Sequence, residues 1–374
     1  MANLSRLPML NGLTSGASQV SPEHRTRRSL LLAAMGSLTA VPCLTAMPSE
    51  SSRPLTRIKL ALAANQSLYH LPLTVAEHMG FFRLTGIQVE WLPHESGAQA
   101  LQTVLAGQAD VMAGAYEHLF GLHQRGQPFM SFVQMCRTPQ VSLGGSTRGG
   151  RSWQSFADMR GARLGVSALD STTHWMACQW LRRHGLSVDE VVFVEVGSST
   201  GVLDALRAGS IDALCNPDPI MHWLEQKNEI RLLAETRTLA GTRQVMGGAV
   251  PGASLFAHTE FLQRQPERVQ ALTDAVVLAL KWLPSAGLTD ILKTVPPSHW
   301  SWDRAAYLGA FEKLRESYAV DGLIRGPEVQ RAWQVHAGLK GVNAQTRIWP
   351  DRTFTNIFAS SAQNSQRLRV RMGG

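Results

Sequence analysis

The residues with the plainest chemistry are Gly197-Ser198-Ser199-Thr200-Gly201, a Gly-x-Ser-x-Gly run. Between a strand and a helix this spacing lifts a serine hydroxyl out of a tight turn, and Asp218 and His258 follow in the order a hydrolase triad needs. Against that reading, short Ser/Gly runs arise easily in a chain with 32 glycines. The matching stretch of the first half, Glu95-Ser96-Gly97-Ala98, forms no such elbow. A second set is Ser171-Thr172-Thr173, three hydroxyls at a helix start that can cap the helix, donate to a ligand, or do both. Asp218, within Asn216-Pro217-Asp218-Pro219, either accepts from an ammonium group or caps the helix opening at Pro219, and capping is the simpler role. Glu117 carries the same ambiguity. Arg137 and Arg243 have the planar fork that clamps a sulfonate or carboxylate, or are plain surface residues. No Cys-x-x-Cys or His-Glu-x-x-His pattern occurs, so no metal site is expected, and no cofactor is expected either.

These groups sit on a chain that repeats itself. Leu105-Ala106-Gly107-Gln108-Ala109-Asp110-Val111 is echoed by Leu206-Arg207-Ala208-Gly209-Ser210-Ile211-Asp212-Ala213. In each copy a glycine ends a helix, where the left-handed conformation costs it nothing, and an aspartate precedes a new apolar strand. Each is preceded by a strand (87–92, 191–196), a glycine loop and an Ala/Leu-rich helix. Further strands are expected at 58–64, 111–114, 129–135, 163–167, 213–215, 230–234 and 253–258. Helices are expected at 72–79, 172–184, 202–208, 266–283, 303–318 and 327–335. The run 144–150 reads as a flexible turn. The pattern predicts two matched α/β lobes, with crossings near 136–143 and 240–248 beside Arg137 and Arg243. Ligands of such folds lie where strand ends and helix starts face a crevice.

The composition is that of an ordinary globular chain: 374 residues, 44% hydrophobic and 17% charged. Part of the +8 net charge lies in Arg6, Arg25, Arg27 and Arg28 and in the tail Arg367, Arg369 and Arg371. No basic stripe interleaved with aromatics runs through the body, which argues against nucleic-acid binding. Residues 1–46 read as an export signal. Arg27-Arg28 stands directly before a soft apolar stretch, Leu30 to Ala46, too short to span a membrane. Paired arginines of this kind match a twin-arginine signal cleaved near Ala46, with the periplasm as destination. The cysteines then left, Cys136, Cys178 and Cys215, are odd in number and widely spaced, which argues against a disulfide framework.

Several segments resemble, in order, the periplasmic binding proteins of nitrate/sulfonate/taurine ABC importers. They are Ser67-Leu68-Tyr69-His70-Leu71-Pro72, the run Glu77 to Glu90 around Gly80-Phe81-Phe82, Gly107-Gln108-Ala109-Asp110, Met159-Arg160-Gly161-Ala162-Arg163-Leu164-Gly165-Val166, the second echo, and Phe261 to Glu267. The resemblance implies a type II periplasmic binding protein: an α/β, two-lobed fold with two crossovers and a C-terminal helical segment packed on lobe 1. On this reading 57–140 opens lobe 1, 141–242 is lobe 2, 243–360 returns to lobe 1, and 361–374 is a disordered basic tail. It further implies a monomeric binding protein without catalysis, delivering a small anionic or zwitterionic solute to an inner-membrane permease.

In such a site the loops after strands present N–H groups and helix starts. The ligand-binding candidates are therefore Ser67, Leu68 and His70 after the first strand, Ser96 and Gly97 after the second, and Tyr116 and Glu117 after the third. Ser171, Thr172, Thr173 and Asp218 are the candidates of the second lobe, with Arg137 and Arg243 as an anion clamp. Tyr69-His70-Leu71-Pro72 also resembles thiamine-pyrimidine precursor binders and a related pyrimidine synthase, whose cysteine-rich motif is missing here. Tyr69, Trp153, Trp175 and Trp223 are the aromatics that would stack on a pyrimidine.

Overall fold

The computed structural model describes residues 55–63, 66–340 and 348–372; the expected export signal, 1–46, lies outside them. Among the described residues, ten strands form two five-stranded sheets. They are β1 Thr56–Ala63, β2 Ile87–His94, β3 Val111–Ala115, β4 Phe129–Gln134, β5 Val141–Ser146, β6 Arg163–Val166, β7 Val192–Glu195, β8 Ala213–Pro217, β9 Ile230–Glu235 and β10 Ala253–His258. The helices are α1 Leu71–His78, α2 Phe81–Leu84, α3 Gly97–Leu105, α4 Glu117–Gln124, α5 Thr172–Arg183, α6 Val202–Arg207, α7 Ile220–Gln226 and α8 Leu239–Met246. After β10 come α9 Thr259–Arg264, α10 Pro266–Trp282, α11 Leu288–Thr294, α12 Arg304–Leu314, α13 Gly326–Lys340 and α14 Ile357–Met372. Among the described residues no helix is long and apolar enough to cross a membrane.

The sheets have the same plan. The first runs β2-β1-β3-β10-β4 and the second β7-β6-β8-β5-β9. In each, three parallel strands are followed by one antiparallel strand that has crossed from the other lobe, β10 in the first and β5 in the second. The repeated aspartates explain the echo. Lys59 N–H donates to Asp110 Oδ2 at 2.8 Å while Asp110 N–H donates to the Lys59 carbonyl at 2.9 Å. In the second lobe Arg163 N–H donates to Asp212 Oδ2 at 2.8 Å, and Asp212 N–H to the Arg163 carbonyl at 2.8 Å. The echoed aspartate therefore anchors the strand it enters to the neighbouring strand of its own sheet. Gly107 and Gly209 precede it at φ +70° and +68°, a conformation that side chains resist.

β5 differs from expectation. Gly144-Gly145-Ser146, read as part of a turn, lies inside this strand. Its glycines answer to packing: a Cβ on Gly145 would stand 2.1 Å from the Trp153 ring, and one on Gly144 3.0 Å from Ile230. The first crossing joins β4 to β5 and the second runs from β9 through α8 to β10; α8 had no counterpart in the expected elements. The stretch from 361, expected as a disordered tail, continues α14 as far as Met372. α10 packs on α1, α2 and α14. Its Val269, Leu272, Val276 and Leu280 are fully buried at helical spacing, and Pro266 starts it where a missing N–H costs nothing.

Candidate functional site

The ends of β1, β3, β6 and β8 face one another across the two lobes. They enclose a cavity of 60 Å³ lined, among others, by Ser67, Tyr69, His70, Ser96, His118 and Ser171 to Thr173. The lobes touch around it. Ser67 Oγ donates to the Asp218 carbonyl at 3.2 Å, and Ser198 Oγ to the Glu95 carbonyl at 2.9 Å. Glu117 at the start of α4 accepts a hydrogen bond from the Thr172 hydroxyl at the start of α5. The conformation is thus one with the lobes closed.

Three groups carry the chemistry in and beside the cavity: Tyr69 and His70 line it, whereas Glu117, expected at the ligand, lines the neighbouring groove. His70 is 3% exposed and burial lowers its pKa to about 4, so its ring is neutral. One ring nitrogen meets the Ala63 carbonyl, and Nδ1 has no partner. Burial pushes the Glu117 carboxyl up to about 7 against the pull of Thr172, and its Oε1 has no partner. Tyr69 Oη is likewise unpartnered, and its pKa is raised by burial and then by the Glu117 charge. No Lys or Arg is among the described lining residues. The cavity therefore offers hydrogen-bond acceptors and hydroxyls, without a fixed positive charge.

The other candidates separate clearly. Ser67, Ser96, Gly97, Thr172 and Thr173 line the cavity, but Ser96 also caps α3 by accepting from Gln99 N–H. Ser167, Ser171 and Thr173 bond one another, each pair of hydroxyl oxygens 2.9 Å apart. Ser171 also donates to the Ala168 carbonyl, so much of this hydroxyl cluster's capacity is already used. Leu68 and Tyr116, expected at the ligand, turn into the core of lobe 1. Leu68 is fully buried and its carbonyl accepts from Tyr318 Oη at 2.8 Å, while Tyr116 Oη lies 2.6 Å from Thr353 Oγ1. Asp218 Oδ1 accepts from His222 N–H at 2.9 Å, near the start of α7, and lies 3.7 Å from the buried Arg237 guanidinium. Burial nonetheless raises its pKa, against the pull of Arg237.

The anion clamp is not assembled at the cavity. Arg137 Nη2 donates to Glu328 Oε1 at 2.8 Å, and Arg243 stands exposed on α8. Of the stacking candidates only Tyr69 lines the cavity. Trp153 is buried in the second lobe with Nε1 bonded to the Ser146 carbonyl, and Trp223 donates to Asp303 Oδ2. Trp175 lines a neighbouring groove. The triad is not assembled either: Ser199 lines a pocket beside Asp218, whereas His258 lines a different one with Asp110. His258 Nδ1 caps α9 by accepting from Glu260 N–H. Three polar lining residues escaped the sequence reading. Ser167 and Ser198 end strands as unremarkable serines, and His118 required knowing that a helix begins at Glu117. Among the described residues no His/Cys/Asp/Glu group is arranged to hold a metal ion, and the three described cysteines are free and buried.

Two matched α/β lobes, two crossings and a site between them define the fold of the periplasmic binding proteins. The model of the NMT1/THI5-like family matches residues 67–285, more than half of the chain, and the chain belongs to that family. A protein of solved structure from Bordetella bronchiseptica RB50 is 34% identical, with 83% of this chain and 98% of that one covered and a TM-score of 0.80. The alkanesulfonate-binding protein SsuA from Xanthomonas axonopodis pv. citri, bound to MOPS, shares the fold at 16% identity and a TM-score of 0.60, covering 83% of this chain and 98% of that one. The 4-amino-5-hydroxymethyl-2-methylpyrimidine phosphate synthase of Schizosaccharomyces pombe is 23% identical over 214 residues, 56% of this chain. The match spans only 60% of that synthase.

Proposed function

We propose that the protein is the exported solute-binding component of an ABC importer, a monomer without catalytic activity, and that its solute is a small amino-substituted ring of the pyrimidine class. The observation that carries this reading is the set of unpartnered polar atoms, Tyr69 Oη and His70 Nδ1 in the cavity lining and Glu117 Oε1 beside it, with no Lys or Arg among the described lining residues. A buried acceptor without a donor costs about 1–3 kcal/mol, and ring N–H groups would relieve that cost. A sulfonate or nitrate in the cavity would meet no Lys or Arg among its described lining residues, so the lining favours the pyrimidine over the anion first expected. The likeness to a pyrimidine phosphate synthase agrees with this ligand class. The SsuA-like fold supports a permease partner, and Arg27-Arg28 before an apolar stretch supports export to the periplasm.

Closure follows if the ligand binds the closed lobes better than the open ones. The test is calorimetric titration with 4-amino-5-hydroxymethyl-2-methylpyrimidine, taurine, methanesulfonate and nitrate. The pyrimidine is expected to bind, and Glu117→Gln to weaken it about tenfold, the loss of one charge-assisted bond. Ser199→Ala should bind as the wild type does. Binding of a sulfonate or nitrate with none of the pyrimidine would overturn the reading.

A further inference from the structure

The lobes meet a second time, away from the cavity. α7 belongs to the second lobe, where its Met221 and Leu224 pack with Leu214 of β8. α12 belongs to the first, where its Tyr307, Phe311 and Leu314 pack with Ile58 and Leu60. The two helices lie against each other, and midway the approach is close: a Cβ on Gly309 of α12 would stand 2.5 Å from His222 Nε2 of α7. Just before α12, Asp303 does two things. Its Oδ1 caps the helix by accepting from Ala306 N–H at 3.0 Å, while its Oδ2 accepts from Trp223 Nε1 at 2.9 Å and lies 3.7 Å from Lys227 Nζ. One carboxylate thus starts a helix of the first lobe and holds α7 of the second. Near the other end, Lys313 Nζ lies 3.5 Å from Glu225 Oε2 and 3.2 Å from Glu235 Oε2. Both carboxylates also flank the fully buried Arg237, at 2.9 Å from Nη2 to Glu225 and 2.7 Å from Nε to Glu235. None of these residues lines the cavity. The contact nevertheless borders the cleft, because Trp302, whose ring centroid is 5.9 Å from that of Trp223, lines a space of 470 Å³ that shares Ser67 and Ser198 with the cavity.

The lobes pivot at one end of this contact. The two crossings are bonded to each other, Gln140 N–H to the Thr236 carbonyl at 3.1 Å and Gly252 N–H to the Cys136 carbonyl at 2.9 Å. The turn after α12 is bonded to both: Arg137 N–H donates to the Ser317 carbonyl at 2.7 Å, and Leu239 N–H to Glu316 Oε1 at 2.9 Å. α12 therefore ends at the pivot, and its eleven residues put Asp303 ~16 Å away at 1.5 Å per residue. A rotation that parts the lobes moves the Asp303 end farthest.

We propose that α7 and α12 form a clasp that holds the lobes closed from outside the cavity, so that residues touching no solute set part of the solute affinity. The apparent affinity of a protein falls with the fraction of it in the binding-competent state, and the clasp sets that fraction. Single exposed ion pairs contribute little; the clasp adds to them a capping carboxylate, an indole donor and a close helix crossing. It concerns closure alone and is independent of which solute is bound.

The experiment is X-ray scattering of the solute-free chain, comparing the wild type with two variants that attack the clasp in different ways. Asp303→Asn/Lys313→Met removes the charges, and asparagine keeps the helix cap. Gly309→Leu wedges the helices apart, and leucine suits a helix interior better than glycine. Both are expected to raise the radius of gyration while keeping one sharp thermal transition, which shows that they are folded. Arg264→Gln, which breaks the exposed pair with Glu260 on α9, should leave the radius as it is. If the folded variants keep the wild-type radius, or if Arg264→Gln expands the chain as much as they do, the clasp is overturned.

Discussion

His70 gives the most quantitative prediction. Its ring is buried beside the cavity and burial lowers its pKa from 6.5 to about 4. In the unfolded chain the same ring titrates near its ordinary value, so between the two values the unfolded state binds the extra proton. Stability must then rise with pH across that window and be lost as pH falls through it. The full gap is worth about 3 kcal/mol, of which about 2.5 kcal/mol is already lost at about pH 4.5. Other carboxylates and His299, also lowered to about 4, titrate over the same range, so the quantity to measure is a difference between two proteins. Urea unfolding of the wild type and His70→Gln at about pH 7.5 and about pH 4.5 gives it, because glutamine does not titrate. The wild type should lose about 2.5 kcal/mol more than the variant over that interval. Equal losses in the two proteins would refute the argument that burial holds His70 neutral.

Two further substitutions test the packing. Gly145→Ala places a methyl group against the Trp153 ring and should cost about 1–3 kcal/mol or more, whereas Gly149→Ala, with nothing within 4 Å, should be close to neutral; similar melting temperatures for the two would contradict the stated role of Gly145. Asp110→Ala and Asp212→Ala each leave one backbone N–H without its carboxylate and should each cost about 1 kcal/mol in urea unfolding. The added Arg163–Asp212 pair is exposed enough to contribute little, so a much larger loss for Asp212→Ala would show that the ion pair matters more than the anchoring of the strand.

What could be read from the chain, and what could not, follows from the range of the interactions. The strands and most helices were legible because their apolar spacing and ending glycines are local. So was the echo as a pattern, since each helix-ending glycine and its aspartate stand three residues apart, although the strands these aspartates anchor, at Lys59 and Arg163, lie 51 and 49 residues back. β5 was hidden because Gly144 and Gly145 look like a turn until Ile230 and Trp153 are known to press on them. The site was legible only as a set of loops. Whether a loop residue faces the ligand depends on partners far along the chain: Tyr318 holds Leu68, Thr353 holds Tyr116, Glu328 holds Arg137 and Arg237 lies beside Asp218. His118 gave no local signal at all, because one histidine on an apolar helix looks like any other.

The strand order also dictates when each lobe can be finished as the chain leaves the ribosome. All five strands of the second sheet lie within Val141–Glu235, whereas the first sheet keeps a slot between β3 and β4 for β10, Ala253–His258. A growing chain that has reached Glu235 therefore holds every strand of the second lobe, yet the first lobe, begun earlier, still has β4 with no β10 to join it to β3. The lobe that starts first is completed last. Until residue 258 emerges, the edges of β3 and β4 are open to pairing with other chains, and a nascent protein stalled before that point would be the aggregation-prone species.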